Sequence, residues 1–108
     1  MTANYLNPGP TREEIDELPG LSLLEFGTEW CGHCQLAAPA VVEALADFPH
    51  ARHIKVEDGP GRRLGRSFRV KLWPTIIVLK DGVEVARSVR PERTDQIRDM
   101  LIRVGATP

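Results

Sequence analysis

The stretch Leu21-Ser22-Leu23-Leu24-Glu25-Phe26-Gly27-Thr28-Glu29-Trp30-Cys31-Gly32-His33-Cys34 decides the fold, and it holds the only two cysteines of the 108-residue chain. Its first part is almost continuously apolar, which predicts a strand buried on both faces. A helical pattern follows from about Gly32 to Phe48 and places Cys31 at the start of a helix. Unpaired backbone N–H groups and the helix dipole favour an anion there. Because the thiolate is the reactive form of cysteine, this placement predicts a redox-active dithiol.

The two thiols are expected to act in sequence. Cys31 is expected to be exposed and to attack a substrate disulfide, and Cys34, one helical turn later, to resolve the mixed disulfide. Glu25 lies in the strand beneath the helix, where burial desolvates its carboxyl group. We expect it to take a proton from Cys34 during resolution, and the alternative is a buried ion pair with Lys55.

The remaining elements flank this stretch. Upstream, the capping-box spacing of Thr11 and Glu14 predicts a helix over 11–18, and Tyr5 with Leu6 suggests a short edge strand in an N-terminal arm, residues 1–10. Downstream the pattern predicts strands over 53–57, 75–80 and 83–89, a short helix over 62–68, a hairpin turn at Asp81-Gly82, and a last helix from about Pro91 to Val104. The inner stripe of the second helix is expected to use Leu36, Ala40, Val41, Ala44, Leu45 and Phe48. This order predicts one α/β domain spanning 1–108, a single mixed β-sheet with helices on both faces and a C-terminal β-hairpin and helix.

Composition excludes several classes of function. The formal net charge is −1, with 27% charged residues, so nothing draws the chain as a whole to nucleic acid or membranes. The densest basic run, Arg62 to Lys71, is interpreted as a solvated face. Residues 1–20 do not read as a secretory leader, and we expect a cytoplasmic protein, where a disulfide is more often catalytic than structural.

A zinc site is the main chemical alternative at the cysteines. His33 lies between them, and His50 and His53 follow later in the chain. Structural zinc needs four convergent ligands, and these two histidines come beyond the far end of the second helix. We therefore expect no metal, and we interpret His50 and His53 as surface residues.

These motifs together resemble the active site of the thioredoxin family. The resemblance covers about residues 18–104. The motifs that carry it are Phe26 to Cys34, Ala38-Pro39, Trp73-Pro74-Thr75 and Lys80-Asp81-Gly82. It implies a thioredoxin fold and a thiol–disulfide oxidoreductase that needs no cofactor, because the dithiol carries both electrons. The implied partners are disulfide-containing protein substrates and a recycling reductase or small thiol, and the chain is expected to be a monomer.

The resemblance also assigns roles residue by residue. Cys31 matches the nucleophile and Cys34 the resolving cysteine, while Glu25 and Lys55 match the buried acid and its partner lysine. Gly32 admits a partner's backbone close to the site. The implied substrate-binding surface includes Trp30, Trp73, Pro74, Thr75 and Arg90, with a cis peptide bond between Trp73 and Pro74 and backbone there that pairs with an extended substrate.

Several positions depart from the family pattern. His33 replaces the usual proline between the cysteines and matches protein disulfide isomerases, which makes disulfide oxidation or isomerisation the alternative to reduction. Gly27 and Thr28 stand where the family usually has an aromatic residue and alanine. Trp73 and Arg90 replace smaller residues on the docking surface, so partner choice is expected to differ. A non-catalytic adaptor is the remaining alternative, although both cysteines are present.

Overall fold

A computed structural model describes residues 4–108 of the chain, and in that range helices pack on both faces of one four-stranded β-sheet. The predicted arm, 1–10, and the predicted domain, 1–108, both include residues 1–3, which lie outside the described part. The elements are α1 (Arg12–Asp16), β1 (Leu21–Gly27), α2 (Gly32–Leu45), β2 (Arg52–Glu57), α3 (Arg63–Ser67), β3 (Thr75–Lys80), β4 (Val83–Val89) and α4 (Thr94–Arg103).

The sheet is mixed, with strand order β2-β1-β3-β4. β1 pairs with β2 in parallel, which requires the crossover through α2, whereas β1–β3 and β3–β4 are antiparallel. Glu25 thus lies opposite Lys55 on one side and Ile76 on the other. The predicted mixed sheet is confirmed, and the strand that precedes the cysteines lies at its interior.

Each face of the sheet carries its own apolar core. On one face, Leu23 and Ile76 pack against α2 and α4. On the other, Leu24, Phe26 and Ile77 pack with α1 and α3. Both layers are essentially free of solvent, which explains why β1 reads as a continuous apolar run rather than an alternating one. Glu25 points to the same face as Leu23, directly under the helix that bears the cysteines.

Local chemistry fixes the element ends much as expected. Thr11 and Glu14 form the predicted capping box, and Asp81 and Gly82 adopt the positive φ values of a tight hairpin turn, 50° and 81°. The prediction for α2 is partly wrong. The helix ends at Leu45, and Leu36 is 71% exposed while Ala37 takes the inner position, because the buried stripe is set by Cys34.

The N-terminal arm docks on the free edge of β2. The backbone N–H of Leu6 donates to the Lys55 carbonyl at 2.8 Å, and that of Glu57 donates to the Leu6 carbonyl at 3.1 Å. The predicted edge strand is therefore a single parallel bridge between Leu6 and Val56. It brings the preceding residue, Tyr5, to the Cys34 end of the sheet.

Candidate active site

The two cysteines are free thiols at the start of α2. Cys31 is the N-cap residue, and its Sγ accepts the backbone N–H of Cys34 at 3.3 Å. This bond uses one of the N–H groups that a helix leaves unpaired at its first turn, so it favours negative charge on Cys31. The expected exposure is wrong: Cys31 is only 8% exposed, because the capping side chain folds over the helix end, and Cys34 is 2% exposed.

Cys34 lies in a setting that holds its proton. Burial, and then a hydrogen bond with Cys31, raise the pKa of the Cys34 thiol to about 11. Hydrogen bonds from the Thr28 backbone and from the Tyr5 side chain oppose this rise. A thiol that stays protonated at neutral pH needs a base before it becomes a nucleophile.

The buried acid Glu25 is 1% exposed, and its partner is not the one expected. His53 Nε2 lies 2.8 Å from Glu25 Oε1. The Lys55 ammonium, although its residue faces Glu25 across the strands, lies 4.3 Å above the ring of Tyr5. The alternative of a Glu25–Lys55 ion pair is therefore wrong, because the Lys55 ammonium lies over the Tyr5 ring instead. The interpretation of His53 as a surface residue is also wrong, since its side chain is 20% exposed and ends on the buried acid.

Gly27 leaves the space in which Tyr5 reaches the site. A β-carbon built on Gly27 would lie 2.6 Å from Cys34 Sγ and 3.0 Å from the Tyr5 hydroxyl oxygen. The Tyr5 hydroxyl also donates to Glu25 Oε2 at 3.4 Å. The ring of Tyr5, from the arm, therefore lies beneath α2, next to Gly27, the position where the family usually has an aromatic side chain.

The two tryptophans flank the cysteines on the surface. Trp30 is 75% exposed and meets Trp73 edge-on, with ring centroids 5.8 Å apart. The Trp73 indole Nε1 donates to Asp58 Oδ2 at 2.8 Å. The Asp58 carboxylate occupies space that a side chain on Gly65 would fill. Trp73 is thus fixed from below, whereas Trp30 is open to a partner.

The loop before β3 has the expected cis peptide bond between Trp73 and Pro74. Pro74 is buried, and Thr75 is fully buried, with its hydroxyl donating to the Leu72 carbonyl at 2.6 Å. The Thr75 side chain therefore holds the loop and is not available to a substrate. Arg90, in the left-handed region at φ 53°, donates from Nε to the Trp73 carbonyl at 2.9 Å and from its backbone N–H to the Pro74 carbonyl at 2.9 Å.

Gly32 and His33 are exposed in the first turn of α2, with open space around the Gly32 α-carbon. Between residues 4 and 108, no group of three or more His, Cys, Asp or Glu side chains is arranged to hold a metal ion. In the same part of the chain, no helix has the length and apolar character needed to cross a lipid bilayer.

A dithiol at the N-terminus of a helix, above a buried acid and beside a cis-proline loop, defines a thiol–disulfide oxidoreductase. The Thioredoxin family model matches residues 6–103. The thioredoxin of Chlamydia trachomatis serovar D is 37% identical over 82 residues, which cover 76% of this chain and 80% of that protein. The structure of thioredoxin 2 from Pseudomonas aeruginosa PAO1, in its reduced form, is 53% identical and covers 96% of both chains with a TM-score of 0.86.

A third relative, the thioredoxin of Fasciola hepatica, is 26% identical with a TM-score of 0.68 and covers 84% of this chain and 85% of its own. The chain belongs to the thioredoxin family, and its fold is the thioredoxin fold. Thioredoxins are thiol–disulfide oxidoreductases that act on disulfide-containing substrates and are recycled by a reductase. The sequence predictions of family, fold and activity are confirmed.

Sequence reasoning missed three residues of this site: Tyr5, His53 and Asp58. For His53 a signal was present, because it lies two residues before Lys55 and so faces the same side of its strand. For Tyr5 the signal was the pairing of a lone tyrosine in the arm with a glycine where an aromatic residue is usual. For Asp58, which follows β2, the sequence carried no comparable signal.

Proposed function

We propose that the chain reduces protein disulfides, with Cys31 as the nucleophile and Cys34 as the resolving thiol. The observation that carries this assignment is the unequal setting of the two thiols. Cys31 caps the helix and accepts an N–H there, while Cys34 is buried and has a pKa raised to about 11. A thiol stabilised as thiolate attacks first, and a protonated thiol waits until a mixed disulfide has formed.

The proposed resolution step uses Glu25 as the base. As Cys34 attacks Cys31 Sγ, the bond from Cys31 to the substrate sulfur breaks, and the substrate leaves as a thiolate that takes a proton from water. The Cys34 proton ends on Glu25, which is 1% exposed and contacts the partly exposed His53. Lys55, which lies over the Tyr5 ring, is proposed to hold that ring and not to pair with the acid.

The proposed docking surface consists of Trp30, Gly32, Trp73 and Pro74, with Arg90 at its rim. A partner's extended backbone would pair with the loop before Pro74. Arg90 already occupies the Trp73 carbonyl that such a partner would use, which supports a partner preference different from that of relatives with a small residue there. His33, exposed in the first turn of α2, is proposed to tune the potential by adding a hydrogen-bond donor near the Cys31 thiolate.

Reduction of insulin by dithiothreitol, followed by turbidity, tests the assignment. Wild type is expected to accelerate precipitation, Cys31→Ser to have no activity, and Cys34→Ser to accumulate a mixed disulfide through Cys31 that mass spectrometry detects. An inactive wild type would favour the adaptor alternative. Activity that survives Cys31→Ser would assign the attack to another group.

Disulfide oxidation or isomerisation is the second candidate, and the observation that favours it is the Gly32-His33 pair. Equilibration with glutathione distinguishes the two directions. A potential near about −270 mV supports reduction, and one near about −180 mV supports isomerisation. The expected cytoplasmic location, the monomeric state, the absence of nucleic-acid and membrane partners, and recycling by small thiols stay predictions.

A further inference from the structure

The Tyr5 hydroxyl lies between the thiol that must lose a proton and the acid proposed to receive it. It donates to Glu25 Oε2 at 3.4 Å and lies beside the Cys34 thiol. The same hydroxyl and Cys34 Sγ both lie next to the position that a β-carbon on Gly27 would occupy. Thiol, phenol and carboxyl thus form a short chain of hydrogen-bonding groups that runs inward from α2 to β1.

The arm holds the phenol in this place from two directions. Backbone hydrogen bonds of Leu6 with Lys55 and Glu57 fix the residue that follows Tyr5. The Lys55 ammonium, 4.3 Å from the ring centroid, covers the ring face. The orientation of the hydroxyl toward Cys34 is therefore set by the fold and needs no rearrangement during the reaction.

The chain of groups also has an exit to solvent. His53 Nε2 lies 2.8 Å from the second oxygen of Glu25, and the His53 side chain is 20% exposed. Glu25 thus contacts the phenol through one carboxyl oxygen and a partly exposed imidazole through the other.

We propose that Tyr5 is a catalytic residue that relays the proton of the Cys34 thiol to Glu25 during resolution of the mixed disulfide. This inference rests on the proposed role of Glu25 as the base. The Cys34 proton passes to the Tyr5 oxygen as the phenol's own proton passes to Glu25 Oε2, so the phenol is neutral before and after. The Cys34 thiolate then forms the bond to Cys31 Sγ, and the substrate thiolate leaves and is protonated by water.

The phenol suits a relay better than a base. Burial, and then the Glu25 carboxylate, raise the pKa of the Tyr5 hydroxyl well above its usual range. Tyr5 therefore does not hold a negative charge at neutral pH and donates its proton only while it accepts another. The hydroxyl can both donate and accept, which is the property a relay requires.

Rapid mixing of the reduced protein with 5,5′-dithiobis(2-nitrobenzoate) tests the relay, because the two steps release separate nitrothiobenzoate ions. The first release reports attack by Cys31, and the second reports resolution by Cys34. Tyr5→Phe, which keeps the ring under Lys55 and removes only the hydroxyl, is expected to slow the second release about tenfold at pH 7. Asn4→Ala, an exposed substitution on the same arm, is the matched control and is expected to leave both rates unchanged.

A double-variant cycle separates the relay from the base. Glu25→Gln alone is expected to slow the second release, and adding Tyr5→Phe to it is expected to slow that release no further. If Glu25→Gln has no effect, the base and the relay are both wrong. If Glu25→Gln slows resolution but Tyr5→Phe does not, or if the two effects multiply, the relay alone is wrong.

A proton inventory on the unmodified protein needs no folded variant. In mixtures of light and heavy water, two protons in flight give a curved dependence of the second rate on deuterium fraction, and this is the expected result. A linear dependence means that one proton moves, and it would overturn the relay. A tyrosine that only fills space would leave this dependence linear while still affecting stability.

Discussion

Gly27→Ala adds one methyl group at the point where Tyr5 and Cys34 meet, and the structure allows its cost to be worked out. The new β-carbon would lie 2.6 Å from Cys34 Sγ, 3.0 Å from the Tyr5 oxygen and 3.3 Å from a ring carbon. Cys34 is held in a helix and cannot withdraw, so the strand or the arm must shift. Overpacking of this kind costs about 1–3 kcal/mol, and the smaller unfolded-state entropy of alanine offsets about 0.4–1 kcal/mol of it. The expected net loss is about 1–2 kcal/mol.

Urea unfolding of the reduced protein measures this loss. With a slope of about 2 kcal/mol per molar urea, the midpoint is expected to fall by about 0.5–1 M. Gly32→Ala is the matched control. Gly32 lies at the start of α2, the helix that holds Cys34, and in the described structure a β-carbon there meets no atom within 4 Å. That variant is expected to be as stable as wild type or more stable by up to about 1 kcal/mol. Equal midpoints for the two alanine variants would refute the proposed packing of the arm beneath Cys34.

Three further predictions concern the groups around this point. Arg90→Gly keeps the left-handed backbone without strain and frees the Trp73 carbonyl. It is expected to lower KM for a protein disulfide about 3–10-fold with kcat unchanged. An unaltered KM would exclude Arg90 from docking. His53→Ala removes the closest partner of the buried Glu25 and is expected to cost about 1–3 kcal/mol in urea unfolding at pH 7, with a smaller loss for His53→Gln, and equal losses would contradict the hydrogen bond. Burial raises the pKa of Cys34 to about 11, so iodoacetamide at pH 8 is expected to label only Cys31, the capping cysteine. The adduct on Cys34 is expected to increase as pH approaches 11. Two adducts at pH 8, detected by mass spectrometry, would contradict the assigned environment of Cys34.

Sequence patterns captured the elements of this fold because each is encoded locally. A continuous apolar run, a capping box, an Asp-Gly turn and a helical stripe each reflect a few neighbouring residues, and β3 and β4 have the expected bounds. The partners of Glu25 were missed for the opposite reason. Which side chain reaches the buried Glu25 depends on where the arm runs, and an arm that pairs with the sheet through the isolated bridge of Leu6 to Val56 leaves no periodic signal. The ring of Tyr5 contacts the Lys55 ammonium, and His53 is hydrogen-bonded to Glu25.

The reactivity of the site depends on how the fold removes a proton from a thiol that it also protects. A pKa of about 11 lies about four units above neutral pH, so only about one Cys34 in ten thousand would be a thiolate, a cost of roughly 5 kcal/mol if no base accepted its proton. The Thr28 backbone and the Tyr5 hydroxyl favour the thiolate and are already included in this pKa, so the remaining cost falls to Glu25, which provides a destination for the proton. Each of these groups acts on Cys34, whereas Cys31 accepts the backbone N–H at the helix terminus. Substitutions beneath the helix should therefore alter resolution and leave attack intact, and this separation of steps distinguishes a functional arm from one that only completes the core.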